Sequence, residues 1–277
     1  MRVIVLSDLH IGYERSDKIA LGGFIESLIR DRPDRVILLG DIFDFWRCPA
    51  ADLLVRHQDI VEKLLQLSVS YVHGNHDYSM LKLSRRFPEE PGFDVKTILT
   101  LRNRNTRFVL RHGYELEVFA SMEVVGLDVY EAFSEAMCRS GRIGGKMAGW
   151  LWSVVEVAKG KLSPTARNLL SGAASRSPET RGIFEKVDTL AKSPSRSILL
   201  GMQRDDVLVF GHTHRPFRDL GTVNTGSWVV MKGKKEHTYL EITDDSFELR
   251  TWPVSDQAAK AYMRPKAKLA RPQKGQK

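Results

Sequence analysis

The chain has 277 residues, 42% hydrophobic and 27% charged, with a formal net charge of +8. That is the composition of an ordinary soluble protein, and the length suits one large α/β domain with an insertion. The charge is unevenly spread: 258–277 carries Lys260, Arg264, Lys266, Lys268, Arg271, Lys274 and Lys277 and no acid, so the remainder is nearly neutral and whole-chain basicity argues weakly for a nucleic-acid-binding body.

In chain order, the first element is an apolar run, Arg2 to Leu6, rich in β-branched residues and followed by Ser7-Asp8-Leu9-His10. It reads as a buried strand that ends in a carboxylate and an imidazole two positions apart. Buried polar groups need partners, and a metal ion at the strand tip would satisfy both. Asp17 to Arg30 has a helical stripe, Ile19, Phe24, Ile25, Leu28 and Ile29, stopped by Pro33. A second run, Arg35 to Leu39, ends in Gly40-Asp41; Ala50 to Leu67 reads as one helix; a third run from Val69 ends in His73-Gly74-Asn75-His76-Asp77. Strand, helix, strand, helix, strand predicts a parallel sheet with crossover helices, whose sites lie at the C-terminal ends of the strands.

From Lys96 the pattern changes to short strands, Thr97–Leu101, Arg107–Arg111 and Glu115–Phe119, the second of them running into His112-Gly113. Val129–Arg139, Lys146–Ala158, Ser163–Leu170 and Pro178–Ala191 read as helices, the last two opened by Ser-Pro pairs suited to a helix start. This block, 128–199, interrupts the series of ligand-type residues and reads as an inserted helical cap between two parts of one sandwich, 1–127 and 200–257. Strands resume at Val207, whose run ends in Gly211-His212-Thr213-His214, and continue through Thr222–Val230, Thr238–Ile242 and Phe247–Trp252. The tail, 258–277, reads as disordered.

Five apolar runs thus deliver Asp8, His10, Asp41, Asn75, His112, His212 and His214 at their tips. Mixed carboxylate, imidazole and amide ligands suit Mn²⁺, Fe²⁺ or Zn²⁺ better than Ca²⁺ or a structural zinc. Seven ligands exceed the needs of one tetrahedral ion, so two ions sharing a bridging carboxylate is the simplest solution. Two ions roughly 3.5–4 Å apart can hold a bridging hydroxide and clamp a phosphoryl oxygen, which points to phosphoester chemistry. His57, His73 and His237 fall outside the motifs and read as structural or surface residues.

Asp8-Leu9-His10, Gly40-Asp41-Ile42-Phe43-Asp44, Gly74-Asn75-His76-Asp77, His112-Gly113 and Gly211-His212-Thr213-His214 resemble, in identity and order, the calcineurin-like metallophosphoesterase superfamily. The resemblance implies a four-layer α/β/β/α sandwich. It also implies a dinuclear centre: Asp8, His10 and His214 on one ion, Asn75, His112 and His212 on the other, and Asp41 bridging. His76 would lie over the phosphoryl group, stabilising it or protonating the leaving oxygen, and Asp44 would orient His76. Gly40 to Trp46, Val223 to Trp228 and the helical block before Gly211 are similar to the UDP-2,3-diacylglucosamine hydrolases, which cleave a pyrophosphate bond and hold acyl chains under a cap. That branch typically carries Arg where this chain has His76, which follows the wider superfamily. Trp46 and Trp228 have ordinary core packing as their alternative role.

The expectation is a phosphohydrolase with two divalent ions, Mn²⁺ foremost, cleaving a pyrophosphate or phosphodiester in a phosphorylated small-molecule or lipid-linked substrate. A DNA-repair-type nuclease is the alternative within the superfamily, disfavoured because a nuclease needs a basic groove in the body. A non-catalytic scaffold of the same fold is disfavoured because every ligand position is filled. The basic tail is suited to weak contact with anionic lipid or nucleic acid. The first apolar run is too short for a signal peptide, no stretch approaches the ~20 apolar residues of a membrane span, and Cys48 and Cys138 have no metal or redox spacing. A cytoplasmic protein, at most peripheral to a membrane, is expected.

Overall fold

A computed structural model describes residues 1–86, 94–121, 126–139, 178–219, 221–231 and 233–252. The helices expected over Lys146–Ala158 and Ser163–Leu170, and the tail, lie outside these residues. The N-terminal half runs β1 (Arg2–Leu6), α1 (Lys18–Asp31), β2 (Arg35–Leu39), α2 (Ala50–Arg56), α3 (Gln58–Leu64), β3 (Val69–Val72), α4 (Ser79–Arg86) and β4 (Val95–Lys96). Then come β5 (Leu99–Arg102), β6 (Arg107–Leu110), α5 (Tyr114–Ser121), α6 (127–139), α7 (Pro178–Lys192) and α8 (Arg196–Leu199). The chain continues with β7 (Val207–Phe210), β8 (Phe217–Asp219), β9 (Thr222–Asn224), β10 (Thr238–Thr243) and β11 (Phe247–Thr251).

These strands form two sheets. The first has the order β11-β10-β1-β2-β3-β4 and the second β5-β6-β7-β9-β8. From β1 to β4 the neighbours are parallel, as are β6, β7 and β9. Side chains alternate across each strand, and the burial pattern follows. Val3, Val5, Ile37, Leu39 and Val72 face Phe108, Leu110, Val207, Val209 and Val223 across the space between the sheets. Ile4, Leu6, Val36 and Leu38 point the other way, onto Leu21, Phe24, Ile25 and Leu28 of α1 and onto Leu53, Ile60 and Leu64. On the far side, Val109, Leu208 and Phe210 of the second sheet pack on Leu116 and Ala120 of α5 and Val187 and Ala191 of α7. The result is a helix–sheet–sheet–helix sandwich. α7, inside the segment expected as a cap, packs as part of the outer helical layer.

Three sequence expectations change. Glu115–Phe119 is not a strand but the helix α5: β6 and β7 are parallel neighbours, and parallel strands require a crossover. The helix expected over Ala50–Leu67 is broken at His57, which leaves helical geometry at φ −120° and ψ 25°. The strand expected over Thr222–Val230 ends at Asn224, because the Asn224 Oδ1 accepts the Gly226 amide at 2.9 Å and Gly226 turns the chain at φ +77°. α1 is bounded as its sequence suggests. Asp17 caps it by accepting the Ala20 amide at 3.1 Å, and Arg32 closes it in left-handed geometry, its amide donating to the Leu28 carbonyl.

Candidate metal centre

Parallel strands bring their C-terminal ends to one edge of each sheet, and the site is built there. The turn after β1 hydrogen-bonds to the turn after β2: the Asp8 amide donates to the Gly40 carbonyl at 3.0 Å and the His10 amide to the Asp41 carbonyl at 2.9 Å. In the second sheet the Gly211 amide donates to the His112 carbonyl at 2.9 Å. The His212 amide then crosses between the sheets to the Asp8 carboxylate, 3.0 Å from Oδ2. Asp8, His10, Asp41, His212 and His214 all hold φ between 46° and 65°. That left-handed region costs non-glycine residues of order 1 kcal/mol or more each. Among the described residues the other non-glycine cases are Arg32 and His237, so the strain is concentrated in the side chains expected to bind metal.

The ring and carboxylate atoms converge. Asp8, His10 and His214 offer ligand atoms within 4.8 Å of one another, as do His10, Asp41 and His76, and Asp41, His112 and His212. Asp41 stands between the sets: its Oδ2 lies 3.3 Å from His112 Nε2, 3.6 Å from His10 Nε2 and 4.0 Å from His76 Nε2. In the first set His214 Nε2 lies 3.1 Å from Asp8 Oδ1, and the Nε2 atoms of His10 and His214 face each other at 3.1 Å. Asn75 is buried, its Oδ1 without a hydrogen bond among the described residues. His112 Nε2 is buried and likewise makes none.

Asp8, Asp41, His10, His76 and His112 each have one end tied to protein and the other turned inward. The Asp8 Oδ2 accepts the Ser7 hydroxyl at 2.5 Å, which leaves Oδ1 for His214. The Asp41 Oδ1 accepts the His76 amide at 2.8 Å, which leaves Oδ2 for the rings. His112 donates from Nδ1 to the Leu39 carbonyl at 3.1 Å, and His10 from Nδ1 to Asp44 Oδ2 at 3.1 Å, so in both rings Nε2 is the atom left to meet a metal ion or a proton. His76 also uses Nδ1 on Asp44, 3.0 Å from Oδ1. Asp44 therefore positions two rings, and it carries a further pairing to the Arg47 guanidinium. The Trp46 ring stacks on His76 with centroids 4.1 Å apart, anchored by its Nε1 donating to the Asn75 carbonyl at 2.9 Å. Trp228 is fully buried core, donating to the Thr238 carbonyl at 3.1 Å.

The turns leave no room for side chains where they press on the ligands. A Cβ on Gly74 would overlap the Asp41 carboxylate and amide, and one on Gly211 would overlap the Asp8 carboxylate and the Ser7 side chain.

Burial opposes charge throughout the site, and the opposite charges overcome it. His112 is disfavoured as a cation by burial, yet the carboxylates of Asp41 and Asp8 raise its pKa to about 10. Burial likewise opposes a charged His10, and its bond to Asp44 with the charge of Asp41 holds its pKa up. Asp41 and Asp44 would be pushed up by burial, but the imidazoles around them, His112 and His76 foremost, hold both well below the usual carboxylate range. The site is a lattice of buried anions and protonatable rings, in which a divalent cation could take the place of the protons.

All nine side chains expected in the site, His76 and Asp44 included, lie at this one edge of the sandwich. Of the histidines read as structural, His73 is buried with Nε2 3.2 Å from Thr97 Oγ1, and His237 is buried 3.3 Å from Asp17. Two acids were not anticipated. Asp77 accepts the Gly74 amide at 2.6 Å, the Ile42 amide at 2.7 Å and the Tyr71 hydroxyl at 2.7 Å, locking the turn after β3 to the turn after β2. Glu117 reaches His212 from α5, its Oε2 2.7 Å from Nε2. Reading Glu115–Phe119 as a strand hid it; the need for a crossover between parallel strands was the available signal.

The donor set fits divalent metal. It offers carboxylate, imidazole and amide oxygen, with Asn75 Oδ1 and His112 Nε2 buried and bare, an arrangement that is unfavourable unless something fills it.

The family model for calcineurin-like phosphoesterases matches residues 1–216. A curated protein of Shewanella sp. (strain ANA-3), named UDP-2,3-diacylglucosamine hydrolase, is 25% identical over 262 residues, covering 91% of this chain and 98% of that protein. One of the same name from Shewanella sp. (strain W3-18-1) is 23% identical over 264 residues, covering 93% and 99%. Among solved structures, a dimetal phosphatase from Danio rerio aligns with a TM-score of 0.43 at 15% identity, covering 91% of this chain and 99% of that one.

Proposed function

The chain belongs to the calcineurin-like phosphoesterase family, and on that premise we propose that it is a hydrolase with two divalent metal ions, Mn²⁺ foremost with Fe²⁺ or Zn²⁺ as alternatives, that cleaves a pyrophosphate or phosphodiester bond. The observation that carries this reading is the place of Asp41 Oδ2, between His112 on one side and His10 on the other, with bare ligand atoms around it. Asp8, His10 and His214 would hold one ion and Asn75, His112 and His212 the other, with Asp41 shared between them. When bound, the ions supply a nucleophile from water at neutral pH and polarise the phosphoryl oxygen.

The remaining residues act through their own geometry. His76, turned by Asp44 through Nδ1, presents Nε2 over the site, where it donates to a phosphoryl oxygen or to the leaving oxygen. Trp46 fixes the plane of His76 from behind. Ser7 and the His212 amide keep Asp8 in one orientation, so the first set needs no rearrangement to accept an ion.

For the substrate, the full-length coverage of proteins named UDP-2,3-diacylglucosamine hydrolase supports a nucleotide-linked, acylated sugar as the class to test first. In this reading the inserted segment 128–199 selects the substrate and the basic tail brings the enzyme to an anionic lipid surface from the cytoplasm. Among the described residues no helix is long and apolar enough to cross a membrane. The test is a hydrolysis screen of UDP-2,3-diacylglucosamine, short-chain nucleoside diphosphate sugars, cyclic nucleotides and single-stranded DNA with added Mn²⁺. The reading predicts release of UMP from the lipid-linked sugar at a kcat/KM above all others. Preference for single-stranded DNA would replace it with the nuclease alternative.

A further inference from the structure

Glu117 is a buried carboxylate outside every motif of the site. It sits on α5, one helical turn past His112-Gly113, and its Oε2 lies 2.7 Å from His212 Nε2. A carboxylate accepts only, so Nε2 carries the proton and Nδ1 is the ring atom left with a lone pair. The His212 ring is also held edge-on by His112, with centroids 5.2 Å apart, and by Phe184 of α7 at 5.8 Å. Glu117 is itself oriented. Its Oε2 accepts the Tyr130 hydroxyl at 3.2 Å, and Tyr130 lies on α6, stacked on Tyr114 with ring centroids 5.7 Å apart. α6 is tied down again by Tyr78 and Tyr114, whose hydroxyls each donate to Glu131 at 3.0 Å.

We propose that Glu117 is a positioning residue for the metal centre: it fixes the tautomer and angle of His212 so that Nδ1 faces the ion shared with Asn75 and His112, and Tyr130 makes that setting depend on the seating of α6. The inference rests on the dinuclear reading above. A buried carboxylate on the far nitrogen of a metal-binding imidazole fixes the ring and raises its basicity, and its loss typically costs about 10–100-fold in metal affinity or activity. The chain of contacts links α6, where the insertion begins, to the His212 ring through Tyr130 and Glu117. His214 and His10 owe their setting to Asp8 and Asp44 instead.

The test is calorimetric titration of metal-free protein with Mn²⁺ for wild type, Glu117→Ala, Glu117→Gln and Tyr130→Phe, alongside thermal unfolding of each metal-free protein. Wild type should bind two ions. Glu117→Ala should lose about 10–100-fold in one binding event only, with the other unchanged. Glu117→Gln, which keeps the hydrogen-bond acceptor and removes the charge, should recover part of the loss, and Tyr130→Phe should show a smaller loss at the same event. Two unchanged events in Glu117→Ala and Glu117→Gln would overturn the proposal. Equal weakening of both events with a lowered unfolding midpoint would make Glu117 a general structural residue and overturn it too. Should Glu117→Ala not fold, the near-isosteric Glu117→Gln decides: full affinity at both events refutes the role. A wild-type protein that binds no Mn²⁺ would instead refute the dinuclear reading.

Discussion

Asp41 and Asp44 are three residues apart and do different work. Asp41 meets His112, His10 and His76 through one oxygen while the His76 amide holds the other. Asp41→Asn keeps the shape and removes the charge that two cations would share. Metal analysis should find fewer than two ions per chain, and turnover of bis-p-nitrophenyl phosphate should fall to a small fraction; full activity with two ions retained would reject the bridging role. His76→Ala removes the group that the proposed function places against substrate and not on metal. It should lower kcat by about 10²–10⁴ at unchanged metal content, with a smaller loss for p-nitrophenyl leaving groups, which need no proton. Loss of an ion from His76→Ala would make His76 a ligand. Asp44 was expected to serve His76 alone, but it also holds His10 Nδ1. Asp44→Asn should therefore weaken Mn²⁺ binding and lower kcat together, a pairing that His76→Ala does not show.

At the scale of elements, the strands end and the ligands begin within two or three residues, and the turns between are set by backbone contacts that the glycines permit. α1 supports these turns from outside, and its first turn gives a test independent of the metal. Asp17 caps α1 and lies 2.9 Å from Lys235 Nζ and 3.3 Å from His237 Nε2. The His237 bond above all, with Lys235 and the Ala20 amide, holds its pKa below the ordinary value. A depressed carboxylate stabilises the fold above its unfolded pKa of about 4 and loses that contribution as pH falls through its folded pKa. Asp17→Ala should cost about 0.5–2 kcal/mol at pH 7 through the lost cap. Asp17→Asn keeps a good cap and loses only the charge. In urea unfolding, the gap between wild type and Asp17→Asn should be full at pH 6 and narrow steadily below pH 4. A gap that does not change with pH would show that the charge contributes nothing.

For the whole molecule, the parallel strands of the first sheet with their helical crossovers, and the gathering of the nine expected site residues at one edge, were legible in the sequence because each apolar run ended in a polar residue that a buried strand tip does not tolerate without a partner. Less was legible where the signal is tertiary. α5 has acids at Glu115 and Glu117 that mimic strand alternation, and only the parallel pairing of β6 with β7 makes it a helix. Pro178–Ala191 reads as the end of an inserted cap because it falls in the helical block between His112 and His212, and chain order does not say what a helix packs on; Val187 and Ala191 pack on the second sheet. Glu117 and Asp77 were invisible as site supports because their partners lie far away in the chain or in the backbone of other turns.

The central claim is that two sheets meet at one edge to hold two ions on either side of Asp41. Anomalous diffraction at the manganese edge from crystals grown with Mn²⁺ tests it most directly. The account predicts two anomalous peaks roughly 3.5–4 Å apart, one beside Asp8, His10 and His214 and one beside Asn75, His112 and His212, with Asp41 Oδ2 between them. A single peak, or two peaks with Asp41 bound to one alone, would contradict it.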